Sequence, residues 1–469
     1  MLHKTIKLVL TALVLTSSTS ACAKEGYHIN VQVNGVSDTI SYLAYHFGDR
    51  QYLKDTVEID SHGHFSFTGK EKLPGGIYLI VMPGNNYFEV IIDKNQHFSI
   101  KTEMQNLAGN IKFDGSPENT SFYEYISFLR KKNEEVAPIR EKLRDPDVSE
   151  ERREALREKS KLIDQQVKEK QEAHIENFPD CVFSLLLKSQ KEVSPPPPTI
   201  MEDGSVDHSL SYHQYTKDYW KHIDFTDDRI LRTPAYQAKL RHFFTNVVIQ
   251  HPDSVIRIAD YIINKTSEND EMFKFTLWFL TNTFERSQVM GMDAAFVHLV
   301  EEYYKTGKAF WLDDVQLDRI IVRSDRLKPL LIGKVAPDIK MYTPDKSTIS
   351  LHDVQAKYTV IYFWDSECPH CKTKTPKLND FYNRYKDHDV KVFAVNTEAD
   401  RVKWLSYVEK NNLQDWINVN DATNRSRFRE KYDIYSIPLM FLLDEDKKII
   451  AKRIGVEQLE DIIRRELKM

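Results

Sequence analysis

Only four cysteines occur in 469 residues, at 22, 181, 368 and 371, so the chain has no disulfide framework of the kind that staples small secreted domains. Neither sign of charge dominates: the formal net charge is −5, from 65 Lys and Arg against 70 Asp and Glu. That balance supplies no basic stripe for a phosphate backbone, and no nucleic-acid partner is expected. Long apolar runs are missing as well. The stretch from Leu8 to Leu15 is about eight residues, too short to cross a bilayer as a helix, and no later run is longer in the sense that matters. Histidines do not gather at ligand spacings. His208, His213 and His222 fit neither a zinc ribbon nor His-Glu-x-x-His and read as loop and surface residues. Tyr212, Tyr215, Tyr219 and Trp220 beside them read as packing. No metal and no cofactor is expected.

What is present is a cysteine pair in a telling place. The apolar run from Tyr358 to Phe363 leads through Trp364-Asp365-Ser366-Glu367 into Cys368-Pro369-His370-Cys371. This spacing predicts a strand ending at a dithiol that opens a helix. Residues i and i+3 of a helix share a face, so the two sulfurs can bond with little backbone movement. A helix N-terminus leaves unpaired N–H groups and the positive end of its dipole beside the first cysteine, which favours thiolate, the nucleophile of disulfide exchange. Taken alone, the pair could instead be half of a zinc site, but zinc would need two more ligands at short spacing, and Cys22 and Cys181 are far away. Cys181, opening the apolar segment Val182 to Leu187, reads as a small buried hydrophobe.

The surroundings of the pair resemble the thioredoxin superfamily, and more closely its TlpA/ResA-type branch. Gly333 to Asp338, then Ile339 to Tyr342 and Thr348 to Asp353, look like the short leading hairpin of that branch. Trp364 stands four before the first cysteine and Pro376 five after the second. Val390 to Val395 reads as the next strand, and Arg401 to Lys410 as an amphipathic helix with Val402, Leu405 and Val408 on its apolar face. Ser436-Ile437-Pro438 before the apolar Leu439 to Leu443 looks like the family's cis-proline loop. The resemblance implies that Pro438 is cis, that the Ile437 backbone presents the substrate, that Cys368 is the nucleophile and Cys371 the resolving thiol of a Cys368–Cys371 redox disulfide, and that Pro369, His370 and Trp364 belong to the site. Three departures stand out: Glu367 where thioredoxins have Trp, Lys374 where many relatives have Glu, and Tyr362 where thioredoxin has a buried Asp. Glu398 is the nearest candidate for the missing carboxylate. His370, Lys372 and Lys374 favour thiolate at Cys368 while Glu367 opposes it, so these residues do not fix the direction of electron flow.

At the other end, Lys4 and Lys7 precede the short apolar stretch, the pattern of an export signal. Ser20-Ala21-Cys22 resembles a bacterial lipobox, with Cys22 lipidated after cleavage, although Thr19 stands where leucine is usual. The competing reading is cleavage after Ala21-Cys22-Ala23, which removes Cys22. Both make the chain exported to the periplasm, the first with a lipid tether to the membrane.

The length favours several domains. A signal occupies 1–23. Between 27 and 115, apolar residues alternate at Ile29/Val31/Val33, Phe65/Phe67, Phe88/Val90/Ile92 and Phe98/Ile100, with breaks at Asn34-Gly35, His62-Gly63, Pro74-Gly75-Gly76 and Pro83-Gly84-Asn85. Such short strands predict an antiparallel β-sandwich-like domain. Residues 116–330 turn to helical period: a charged hairpin broken at Asp145-Pro146, with apolar points at Leu156, Leu162, Ile163 and Val167, a stiff Pro195 to Pro198 loop, then amphipathic helices. Residues 333–469 carry an α/β thioredoxin fold. The order resembles a multi-domain exported group seen in Bacteroidota, with weaker likeness at Phe225 to Pro234 and Met290 to Ala294.

The expected function is an exported thiol–disulfide oxidoreductase, with disulfide-containing client proteins and a thiol–disulfide electron donor or acceptor as partners. The alternatives are an exported scaffold lipoprotein whose thioredoxin-like domain gives only shape, and a peroxiredoxin, disfavoured because Asp365-Ser366-Glu367-Cys368 replaces the Thr-x-x-Cys of a peroxidatic cysteine.

Overall fold

The computed structural model describes residues 26–469, so the expected export signal and Cys22 lie outside the described residues. Two compact units form: the described residues up to Val193 with Arg229–Tyr236, and Ser194–Asp228 with Gln237–Met469.

The first unit opens with eight strands: β1 (Tyr27–Asn34), β2 (Thr39–Phe47), β3 (Arg50–Ile59), β4 (His64–Gly69), β5 (Gly76–Val81), β6 (Tyr87–Ile92), β7 (His97–Glu103) and β8 (Lys112–Asp114). They build two four-stranded sheets, ordered β4-β1-β7-β8 and β3-β2-β5-β6. The alternating residues share one core, Ile29, Val31, Val33 and Phe67 meeting Leu43, Ile80, Val90 and Ile92. One pair runs against the antiparallel pattern: β1 and β7 are parallel, from His28 opposite His97 to Asn34 opposite Glu103. Alternation reports which face a residue takes, not the direction of its neighbour, and a parallel pair needs only a long enough crossover.

Helices α1 (Pro117–Arg144) and α2 (Glu150–Asn177) follow as a hairpin, then α3 (Val182–Ser189). The seam between α1 and α2 is thin, made of Val136, Ile139 and Ile163 with Leu143 and Leu156 against them. Leu162 is 56% exposed and takes no part in it. A denser cluster of Phe122, Tyr125, Val182, Phe183 and Leu187 seats this end of the helices on Ile77 and Ile91.

Beyond the proline run come the two-residue strands β9 (Thr199–Ile200) and β10 (Val206–Asp207), then α4 (Ser209–Asp218), α5 (Ala235–His242), α6 (Pro252–Lys265), α7 (Asp270–Glu285), α8 (Asp293–Leu299) and α9 (Asp314–Leu327). Trp220 is buried with its ring 5.8 Å from Phe225 and 5.0 Å from Phe243, a packing role. His208 and His213 are exposed and His222 is half-buried.

The last third forms β11 (Lys340–Tyr342), β12 (Thr348–Ser350), β13 (Tyr358–Trp364), α10 (Pro369–Tyr385), β14 (Val390–Asn396), α11 (Arg401–Lys410), β15 (Ile417–Asn420), α12 (Phe428–Lys431), β16 (Leu439–Leu443), β17 (Ile449–Lys452) and α13 (Val456–Glu466). Its sheet has the order β12-β11-β15-β14-β13-β16-β17. β13 pairs parallel to β14 and antiparallel to β16. All seven of its residues are buried, because both faces are covered. Val360, Tyr362 and Trp364 face Leu378, Phe381, Trp404 and Leu459, whereas Ile361 and Phe363 face Phe393, Phe428 and Phe441. On α11 the buried stripe is Trp404 and Val408, one i,i+4 step, while Val402 is 77% exposed. Of the expected 402/405/408 face, Val408 is buried and Leu405 packs against the same core, whereas Val402 is corrected: the indole of Trp404 has more area to bury and sets the rotation of the helix. Among the described residues no helix is long and apolar enough to cross a membrane.

Candidate active site

The end of β13 delivers the chain to the site. Thr397 N donates to Trp364 O at 2.8 Å, continuing the β13–β14 ladder up to the loop. Cys368 N bonds Asp365 O at 3.3 Å, and Cys368 caps α10. Pro369 is the first helical residue, where a missing N–H costs nothing and a fixed φ suits the turn. Cys368 Sγ accepts from Cys371 N at 3.3 Å, so a helix N–H points at the outer sulfur.

Both cysteines are free thiols; Cys371 is buried and Cys368 half-buried. Burial first, and the Cys368 thiol beside it second, push the Cys371 thiol up to about 12. The inner sulfur is thus held as a thiol out of water, with the outer one toward solvent.

The segment before β16 closes the other side. The Ile437–Pro438 peptide bond is cis, and the Cys368 thiol donates to Ile437 O at 3.7 Å. Pro369, His370 and Glu367 are exposed around the dithiol, and Ile437 and Pro438 are half-buried. Cys368, Cys371, Pro369, His370, Ile437 and Pro438 are therefore one neighbourhood. Trp364 is not at its surface. The indole is wholly buried, its ring 5.1 Å from Tyr407, so it supports the site from beneath. A residue at the last position of a strand covered on both faces has no other place to go.

Below the dithiol, Tyr362 Oη and Thr375 Oγ1 lie 3.0 Å apart, both buried. Tyr362 is the residue that the sequence resemblance sets where thioredoxin has its carboxylate. Burial, first of the causes, pushes the Tyr362 phenol up, so the pair stays neutral. Thr375 was not singled out in the sequence, since one threonine in a helix carries no signal. Glu398 comes near, but to another partner: Ser366 donates to it, and Lys403 Nζ lies 3.9 Å from its other oxygen. Its side chain is only 11% exposed. Lys374 is drawn off as well, 3.9 Å from Glu457 on α13, which Lys377 also pairs at 2.8 Å. Its charge is shared with α13, which weakens the expectation that it acts on Cys368. Among the described residues no three Cys, His, Asp or Glu side chains converge as metal ligands.

Residues 332–460 match the AhpC/TSA family, 27–122 and 157–328 two domains of unknown function (DUF4369 and DUF5106). The chain is 31% identical over 132 residues to the sporulation thiol–disulfide oxidoreductase A of Bacillus subtilis, covering 26% of this chain and 74% of that one. It is 27% identical over 131 residues to the thiol–disulfide oxidoreductase ResA of Bacillus cereus, covering 28% of this chain and 74% of the relative. A crystal structure of a domain of a possible thiol–disulfide isomerase from Cytophaga hutchinsonii is 42% identical, covering 30% of this chain and 95% of that one, with a TM-score of 0.29. Through its C-terminal third, the chain belongs to the ResA-like thiol–disulfide oxidoreductases, enzymes of the thioredoxin-like fold.

Proposed function

We propose that this protein is an exported oxidoreductase that exchanges disulfides with client proteins through Cys368 and Cys371. One observation carries the reading: a half-buried free thiol at a helix N-terminus touches the carbonyl before a cis-proline, with a second, buried thiol behind it whose backbone N–H donates to the first sulfur.

In the reducing direction, Cys368 gives its proton to water and its thiolate attacks one sulfur of a client disulfide. A mixed disulfide forms, the client S–S bond breaks, and the client's other sulfur leaves as thiolate. Cys371 then loses its proton, which the departing client thiolate can take, and attacks Cys368 Sγ. The second client sulfur leaves as thiolate and takes a proton back from water, and the Cys368–Cys371 disulfide remains. Two electrons and two protons have moved to the client; the same steps reversed oxidise it. A donor or acceptor dithiol resets the pair. The Ile437 carbonyl, bonded to Cys368 in the resting chain, lies where an extended client segment would pair edge-on beside Pro438. The export pattern at 1–23 and the candidate lipid site at Cys22 support a periplasmic setting for this exchange, outside the reducing cytosol.

Cys371→Ser in the full chain should accumulate covalent client complexes that dithiothreitol dissolves, and Cys368→Ser should accumulate none. If both variants keep full exchange activity, the reading is wrong.

A further inference from the structure

The segment leading into the cis-proline is held by a residue that lies outside the thioredoxin-like fold. Asp433, five residues before Pro438, has a side chain only 1% exposed, and it accepts from two arginines. Arg453, just after β17, reaches it at 3.1 Å and also bonds Met440 O through its backbone N at 2.8 Å, so this contact is internal to the fold. The other donor, Arg323, comes from α9. Arg323 is fixed from a third side by Glu285 at the end of α7, 3.4 Å from its Nε. Its guanidinium also lies over the ring of Tyr435, 5.2 Å from the centroid. Tyr435 is 72% exposed and two residues before Ile437.

A buried carboxylate between two guanidiniums is an expensive arrangement unless geometry is kept, and loss of one partner leaves a charge poorly compensated. The flat guanidinium over an aromatic ring restricts that ring as well. One helical side chain therefore bears on both the buried anchor, which it shares with Arg453, and the exposed face of the Asp433–Pro438 segment. A client strand pairing with the Ile437 backbone runs past Tyr435.

We infer that Arg323 is a positioning residue for client recognition: through Asp433 and Tyr435, α9 of the helical region fixes the loop against which an extended polypeptide disulfide docks. The inference rests on the proposed exchange reaction and adds to it a role for residues 314–327. A small disulfide needs only the two sulfurs and is indifferent to Tyr435. A polypeptide needs the loop.

The test uses the full reduced chain with insulin as protein disulfide and glutathione disulfide as small substrate. Arg323→Ala should raise KM for insulin about five- to tenfold, with kcat, the glutathione disulfide rate and the Cys368–Cys371 potential unchanged. Tyr435→Ala should show the same selective loss, and Arg323→Lys, which can still pair with Asp433 but cannot stack flat on the ring, should recover part of it. Equal losses on both substrates, or an insulin KM that does not move in either alanine variant, would overturn the inference while leaving the exchange reaction standing. A native chain inactive on both substrates would overturn the proposed function, and this inference with it.

Discussion

Among the described residues two cysteines begin helices, and one of the two, Cys368, has a face open to solvent. Cys181 caps α3 and accepts from Ser184 N at 3.4 Å; Cys368 caps α10 and accepts from Cys371 N at 3.3 Å. Both caps have extended backbone, and the N–H three residues on reaches each sulfur at a similar distance. The surroundings differ. Cys181 is 8% exposed and lies 3.5 Å from His174 Nε2, with the Glu118 carboxyl close enough to act on its thiol. Burial first, and the Glu118 charge second, push its thiol up to about 11. Cys368 has a solvent face, a carbonyl of the cis-proline loop, and a second thiol behind it. A helix N-terminus is thus insufficient to make a redox thiol: access and the second sulfur decide.

The largest expected contrast is in activity. Cys368→Ser should cut disulfide exchange by about a thousandfold or more, since a hydroxyl cannot form the mixed disulfide, while Cys181→Ser should stay within about twofold of the native rate. Insulin reduction followed by turbidity reads both. A comparable loss in Cys181→Ser would break the contrast.

A smaller effect sharpens it from the inert side, through pH. Burial, with Asp93 adding, pushes Glu118 from 4.5 up to about 7. The native state then binds more protons than the unfolded chain between those values, so the Glu118 contribution is complete below 4.5 and lost as pH rises through about 7. Burial, with Lys170 adding, drives His174 from 6.5 down to about 4. Its contribution is complete above 6.5 and lost as pH falls through about 4, the opposite slope. Between pH 4.5 and 6.5 the two offset one another, and the first unit should hold a nearly level stability. Glu118→Gln should make stability climb with pH across that window, and His174→Gln should make it fall. Urea unfolding, read by a brief alkylation pulse at Cys181 under one fixed condition, measures this. A profile that stays level in both variants would contradict the assigned titrations.

Much of the redox end was readable from residue order. An apolar run buried on both faces, a Cys-x-x-Cys at a helix start and a Pro before the next apolar strand each leave a local mark, and the fold brings them together as adjacent elements. The buried polar partners left none. Thr375 reaches Tyr362 across the core, Ser366 reaches Glu398 and Arg323 reaches Asp433, the last over 110 positions. Such pairs are fixed by tertiary packing, which periodicity does not encode. The parallel β1–β7 pair went unread for a related reason, since strand direction is a property of the crossover. Cys181 was read as a small hydrophobe because it opens an apolar segment; its polar contacts with His174 and Glu118 come from α2 and α1.

The most direct test of the central claim is which sulfurs form a couple. The full chain is equilibrated in glutathione buffers of graded ratio, quenched in acid, and its cysteine peptides are weighed. The account predicts one two-electron transition, a Cys368–Cys371 disulfide forming while Cys181 stays a thiol throughout. Cys368 and Cys371 remaining reduced in the most oxidising buffer, or Cys181 entering a disulfide within the folded chain, would contradict it.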